Sequence, residues 1–287
     1  MTKIDGIVVK KNADKFTVKN GKDFYTISAR GNLKKQGVFV GDRVEIDGNV
    51  VLKVLPRKNF LIRPNIANID QIIIVIASKP ATDFLLIDKL IMYADKNNIK
   101  TIICVNKYEI SEELFVTIKT QYSQVVEKII KTSAINNQID ELKPILKDKI
   151  SVFAGQSAVG KSTLLNAIFE KEIAQIGGLS KIERGRNTTR ETELFILNEN
   201  SYIADTPGFS CLELINFSPE EVSNGYREFY DLSVECKYKQ CDHIFVDEVD
   251  CMVKQQINQN DKLKERYNRY KDLYIETREI WRKRYGK

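Results

Sequence analysis

The sequence predicts three architectures in succession: a small OB-type β-barrel over residues 1–64, a central parallel α/β domain over 65–217, and a metal-binding helical domain over 218–287. Three observations carry this. Residues 1–57 break into short β-branched and aromatic runs divided by turn dipeptides, then the pattern changes to continuous apolar runs alternating with helix-period stretches. Last, three cysteines and the chain's single histidine fall between positions 236 and 251. At 287 residues the chain exceeds one typical domain and suits two or three.

The barrel strands are expected at 7–9, 16–18, 24–29, 38–46 and 50–55, with Asn20-Gly21 and Asp47-Gly48 as hairpin turns. Five such strands with basic loops suit an OB-type barrel, a frequent nucleic-acid module, although an SH3-like barrel has a similar pattern. Pro56 and Pro64 then bound a basic stretch expected to be a linker. From residue 70 the period changes. The runs at 72–77 and 101–105 are apolar throughout, as in strands buried on both faces, and 84–96 has a helical stripe of Leu86, Leu90, Tyr93 and Ala94. A further strand is expected at 125–131 and a helix at 137–148. The next apolar run enters Gly155-Gln156-Ser157-Ala158-Val159-Gly160-Lys161-Ser162 and a helical Thr163-Leu164-Leu165. Strands at 193–197 and 202–204 follow, the second ending at Asp205-Thr206-Pro207-Gly208.

Strand, Gly-x-x-x-x-Gly-Lys-Ser and helix together make a phosphate-binding loop. Backbone N–H groups and a helix N-terminus meet polyphosphate oxygens, and glycine admits the close approach. Lys161 is the expected catalytic charge on the β- and γ-phosphates, and Ser162 the expected Mg²⁺ ligand. Asp205, acting on Mg²⁺ through water, and Gly208, at the γ-phosphate, fit Asp-x-x-Gly at a strand end. Thr188 or Thr189 could complete the Mg²⁺ shell, and Thr189 is expected beside Lys161 among the catalytic residues. Asn106-Lys107-Tyr108-Glu109 and Ser133-Ala134 each end a strand, where a carboxylate and a backbone N–H can read a guanine edge.

In this order the base-reading motifs precede the phosphate loop, with a barrel before them and a Cys/His cluster after. The chain thereby resembles the RsgA family, circularly permuted bacterial GTPases of small ribosomal subunit maturation. The resemblance covers essentially the whole chain and implies GTP/GDP and the small ribosomal subunit with its rRNA as partners. It also implies hydrolysis stimulated by the subunit, leading to release. Glu109 stands where the family has aspartate, and Ala158 where it more often has glycine, a mild change if φ there is negative. Asn187 replaces a histidine proposed to assist hydrolysis, and Phe209 stands where many GTPases have glutamine. Intrinsic turnover should therefore be slow. Asn187 is either a water-holding catalytic residue or a turn residue. Open alternatives are a P-loop ATPase acting on RNA and a non-catalytic RNA-binding factor that holds GTP.

Cys236, Cys241, His243 and Cys251 supply four soft ligands, the set of one closed, structural zinc site. Cys104 and Cys211 read as core thiols. Residues 261–287 place Leu263, Tyr267, Tyr270, Tyr274 and Trp281 on one helical stripe expected to pack on the metal cluster, rimmed by Arg278, Arg282, Lys283 and Arg284. Net charge is +6 and unevenly spread: residues 1–64 carry 14 Lys/Arg against 6 Asp/Glu, and 261–287 carry 10 against 5. Basic flanks suit a polyanion. No eighteen-residue apolar stretch and no apolar leader are seen, so the expectation is a cytoplasmic protein with no membrane association; a monomer is expected besides.

Overall fold

The computed structural model describes residues 4–29, 33, 37–62, 65–176, 193–205 and 217–286. Strands β1 (Ile4–Asn12), β2 (Lys15–Asn20), β3 (Asp23–Ala29), β4 (Arg43–Asp47) and β5 (Val50–Val54) form a closed barrel in the order β1-β2-β3-β5-β4. Four of its pairs are antiparallel and β3–β5 is parallel. Alternation puts Val8, Phe16, Val18, Ile27, Val44, Ile46 and Val51 inside. The expected turns form, with Gly21 and Gly48 both at positive φ.

The expected strand at 38–46 is shorter, because Gly41 takes φ +87° and a Cβ there would lie 2.1 Å from the Ala67 carbonyl oxygen. Asp42 is fully buried at the bend. It accepts from the Phe39 N–H and from Arg57, whose Nε and Nη2 lie 2.7 and 2.9 Å from its two oxygens. Nor is the proline-bounded stretch a plain linker. It contains β6 (Phe60–Ile62), paired with β7 (Asn65–Ala67), and Leu61 and Ile66 are buried in the α/β core.

Six further strands make one sheet in the order β10-β9-β8-β11-β13-β12. These are β8 (Gln71–Ile76), β9 (Lys100–Val105), β10 (Lys128–Lys131), β11 (Ile150–Ala154), β12 (Leu194–Ile196) and β13 (Tyr202–Asp205). All pairs but β12–β13 are parallel. Alternation along the buried strands feeds two cores. Ile72, Ile74, Ile76, Val152 and Ala154 meet α1 (Phe84–Lys96) and α2 (Glu113–Tyr122) on one face. Ile73, Val75, Phe153 and Ile203 meet α3 (Leu142–Leu146) and α4 (Lys161–Ile176) on the other. Helix α3 is shorter than the expected 137–148, and the strand at 125–131 reduces to β10.

The C-terminal part comprises α5 (Pro219–Gly225), α6 (Arg227–Ser233), α7 (Met252–Gln259) and α8 (Asp261–Tyr285). A capping box, Ser218 with Glu221, starts α5. Its core joins Phe217, Val222, Tyr226, Phe229, Cys241, Cys251, Ile257, Tyr270 and Leu273 to Met92 of α1. The aromatic stripe of α8 reaches this core through Leu263, Tyr267, Tyr270 and Tyr274. Trp281 departs from the expectation: it is 37% exposed and packs on Tyr285, ring centroids 4.3 Å apart. Among the described residues no helix is long and apolar enough to cross a membrane.

Candidate functional site

Because β8, β9, β10, β11 and β13 are parallel, their carboxyl ends share one edge, and the segments that follow β9, β10 and β11 meet there. The loop after β11 is Gly155–Gly160. Gly155 has φ +132°, and a Cβ on it would sit 2.1 Å from the Val75 carbonyl oxygen. Gly160 has φ +94°, and a Cβ would sit 2.6 Å from Asn106 Nδ2. Both glycines are therefore required by protein contacts alone. Ala158 has φ +64°, so the condition for a mild replacement of glycine is not met. An alanine in this region costs roughly 1 kcal/mol.

Asn106 is 2% exposed and ties three strand ends together. Its Nδ2 donates to the Val159 carbonyl at 3.0 Å, and its Oδ1 accepts from Thr132 Oγ1 at 3.1 Å and from the Ala134 N–H at 3.4 Å. Lys107, at φ +56°, donates from Nζ to the carbonyls of Ala158 at 2.8 Å and Lys79 at 2.9 Å. The Asn106-Lys107 segment is thus latched onto the 155–160 loop in space, and Ala134 is held to it through Asn106. Ser133 is fully buried, and its Oγ has no hydrogen-bond partner among the described residues. Glu109 is exposed at the same edge.

Lys161 Nζ donates to the carbonyls of Gly155 and Gln156, both at 2.7 Å, so the ammonium lies over the loop's own backbone. Ser162 and Thr163 are exposed in the first turn of α4, and Ser157 is exposed in the loop. The Gln156 side chain turns outward: Oε1 accepts from the Asp83 N–H at 2.8 Å and Nε2 donates to the Ala81 carbonyl at 2.9 Å. Asp205 ends β13 beside β11, with Phe153 opposite it in register. Asn187, Thr188, Thr189, Gly208, Phe209 and Cys211 lie outside the described residues.

The ligand atoms of Cys236, Cys241, His243 and Cys251 all lie within 4.8 Å of one another, a group that could hold a metal ion. His243 Nδ1 is 3.7 Å from Cys236 Sγ and 3.5 Å from Cys251 Sγ. A tetrahedral ion with bonds of about 2.3 Å to sulfur and about 2.0 Å to nitrogen gives an edge of about 3.5 Å, so the donor set fits. His243 takes φ +59°, and its carbonyl accepts from the Tyr267 hydroxyl at 2.7 Å. Cys104 is a different kind of thiol. Burial pushes it up to about 12, and its Sγ lies 3.2 Å from Thr132 Oγ1.

Sequence reading overlooked a buried ionic cluster between α1 and the C-terminal helices. Asp88 Oδ1 accepts from Arg266 Nη1 at 2.7 Å and Tyr122 at 2.8 Å, while Oδ2 accepts from Arg269 Nε at 2.6 Å and Tyr226 at 3.1 Å. Arg266 also pairs with Glu228 and stacks over the Tyr122 and Tyr226 rings. Burial, then the Asp88 carboxylate, hold both phenols well above the usual tyrosine range. The available signal was an aspartate set inside an apolar helical run, Leu86-Ile87-Asp88 before Leu90-Ile91.

A family model described as "RsgA GTPase" matches residues 54–215. The "Small ribosomal subunit biogenesis GTPase RsgA" of Ruminiclostridium cellulolyticum is 39% identical over 96% of this chain and 94% of its own length. The protein of the same name from Thermotoga maritima is 36% identical, covering 94% and 96%. Among solved structures, YjeQ from Thermotoga maritima superposes with a TM-score of 0.83 at 34% identity, covering 96% of this chain and 99% of that one. YloQ, titled a circularly permuted GTPase, gives 0.77 at 28% identity, with 97% and 96% covered.

Proposed function

The chain belongs to the RsgA family of circularly permuted GTPases, and on that premise we propose that it hydrolyses GTP to GDP and phosphate as a maturation factor of the small ribosomal subunit. The observation that carries this reading is the double latch of Asn106 to Val159 and Lys107 to Ala158. It holds a base-reading loop and a phosphate loop at a fixed separation, as one nucleotide spanning both requires.

In this reading Asn106, Lys107, Glu109, Ser133 and Ala134 bind the guanine, and residues 155–163 bind the phosphates, with Lys161 as the catalytic charge. Mg²⁺, which supplies charge neutralisation on the β- and γ-oxygens, would be held by Ser162, Thr188 or Thr189, and Asp205 through water. Gly208 meets the γ-phosphate. Neither Asn187 nor Phe209 has the side chain of the histidine or glutamine usual there, which supports slow intrinsic turnover and a partner that completes the site.

The Cys236, Cys241, His243, Cys251 group holds one zinc ion. Four protein ligands leave no open position, so the ion's role is structural. The three parts, 1–64, 65–217 and 218–287, act on rRNA with the basic barrel and basic C-terminal helix as contacts, in a cytoplasmic monomer. Release follows hydrolysis.

The test is competition of GTP, GDP and ATP against a fluorescent guanine nucleotide. Displacement by GTP and GDP but not by ATP is expected, with Glu109→Ala removing the preference. Equal displacement by ATP overturns the base assignment and returns the P-loop ATPase reading.

A further inference from the structure

The phosphate loop and the C-terminal helices are both fastened to α1, at different points along it. At its start, Asp83 caps α1 by accepting from the Leu86 N–H at 2.9 Å, while its own N–H is held at 2.8 Å by Gln156 of the phosphate loop. Gln156 grips the same segment again through the Ala81 carbonyl. Five residues on, Asp88 is the common acceptor for Arg266 and Arg269 of α8 and Tyr226 at the start of α6. Met92 and Lys96 extend the contact, Met92 beneath Gly225 and Lys96 to Glu221 at 2.8 Å. Packed helices with buried ionic joints transmit displacements rather than absorb them.

We propose that Gln156 is a positioning residue which, through Asp83 and α1, couples the phosphate loop to the Asp88–Arg266–Arg269 joint of the C-terminal part. This is a route separate from the covalent one through residues 206–216, and it rests on the reading of 155–162 as the nucleotide's phosphate loop. Linkage makes the coupling reciprocal: a change at the joint alters nucleotide affinity only while Gln156 connects the two.

A double-mutant cycle on the full-length protein tests this, with dissociation constants for a fluescence-labelled GDP and GTP measured on wild type, Gln156→Ala, Asp88→Asn and the double variant. Arg269→Gln runs as a parallel second arm, so that a folding failure at Asp88 does not end the test. The expected result is non-additivity of about fivefold, the loss at the joint disappearing in the Gln156→Ala background. A purely structural Gln156 weakens binding by one factor whatever stands at 88 or 269, and additivity within twofold in both arms overturns the coupling while leaving nucleotide binding intact. Absence of nucleotide binding by wild type overturns the phosphate-loop reading, and the coupling with it.

Discussion

Replacing Asp88 by alanine removes one carboxylate from a position where it neutralises two guanidiniums and accepts from two phenols. The side chains of Arg266 and Arg269 are 3% and 14% exposed, and with Asp88 gone Glu228 is the carboxylate left against Arg266 among the described residues. Guanidinium does not shed its proton, so the charge stays in place. Breaking a buried pair from one side costs about 3–5 kcal/mol, and the two phenol bonds overlap with that figure rather than adding to it. We take about 4 kcal/mol. With a urea slope of about 2 kcal/mol per molar, the midpoint of the affected transition falls by about 2 M. Trp281, the single tryptophan, lies in α8 and reports this part of the molecule, while far-ultraviolet dichroism reports the whole. The early transition should therefore be seen first in tryptophan fluorescence. Lys100→Ala is the control, because Lys100 and Glu127 pair at 2.9 Å with both side chains more than half exposed, a contact worth about 1 kcal/mol or less. A loss at Asp88 no larger than the control refutes the joint.

Three other outcomes are expected. The Glu221 carboxyl, although raised by burial, is held below its usual 4.5 by Lys96 and the Ser218 N–H, so it stabilises the fold above pH 4.5 and stops doing so as pH falls through its lower folded value. The stability difference between wild type and Glu221→Gln should be constant above that window and close below it, as read from urea midpoints across an acid series. Ala158→Gly removes strain at φ +64° but adds chain entropy to the unfolded state, for a net gain of about 0.5 kcal/mol and a rise of about 1–2 °C in Tm. On the proposal that Cys236, Cys241, His243 and Cys251 hold zinc, chelation withdraws binding energy on the order of 10 kcal/mol from that region, and α7 and α8 should become trypsin-sensitive while the central sheet stays protected.

The barrel, the sheet strands at 72–77 and 101–105, the glycine loop running into a helix at 155–163 and the close Cys/His group were legible in the sequence because each depends on local pattern: alternation, continuous apolar runs, glycine punctuation, or short spacing. The hairpin of β6 and β7 was hidden by Pro56 and Pro64, which look like linker punctuation although only Leu61 and Ile66 need to be apolar to dock it. Helix α2 was passed over because it buries only Ile118 and Tyr122, too few positions for a clear stripe. Trp281 continued the α8 stripe by spacing, but the helix runs beyond the core that the stripe covers. Ala158 at φ +64° sits where the loop is latched by Asn106 and Lys107, a contact between segments some fifty residues apart that no local pattern displays. Asp88 fails for the same reason: its arginine partners lie 178 and 181 residues away.

Phosphate release from GTP by the purified protein, alone and with added small ribosomal subunits, tests the central claim most directly. The account predicts slow turnover alone and strong stimulation by the subunits, with GTP and not with ATP. Unchanged turnover on adding subunits, or equal turnover of ATP, contradicts it.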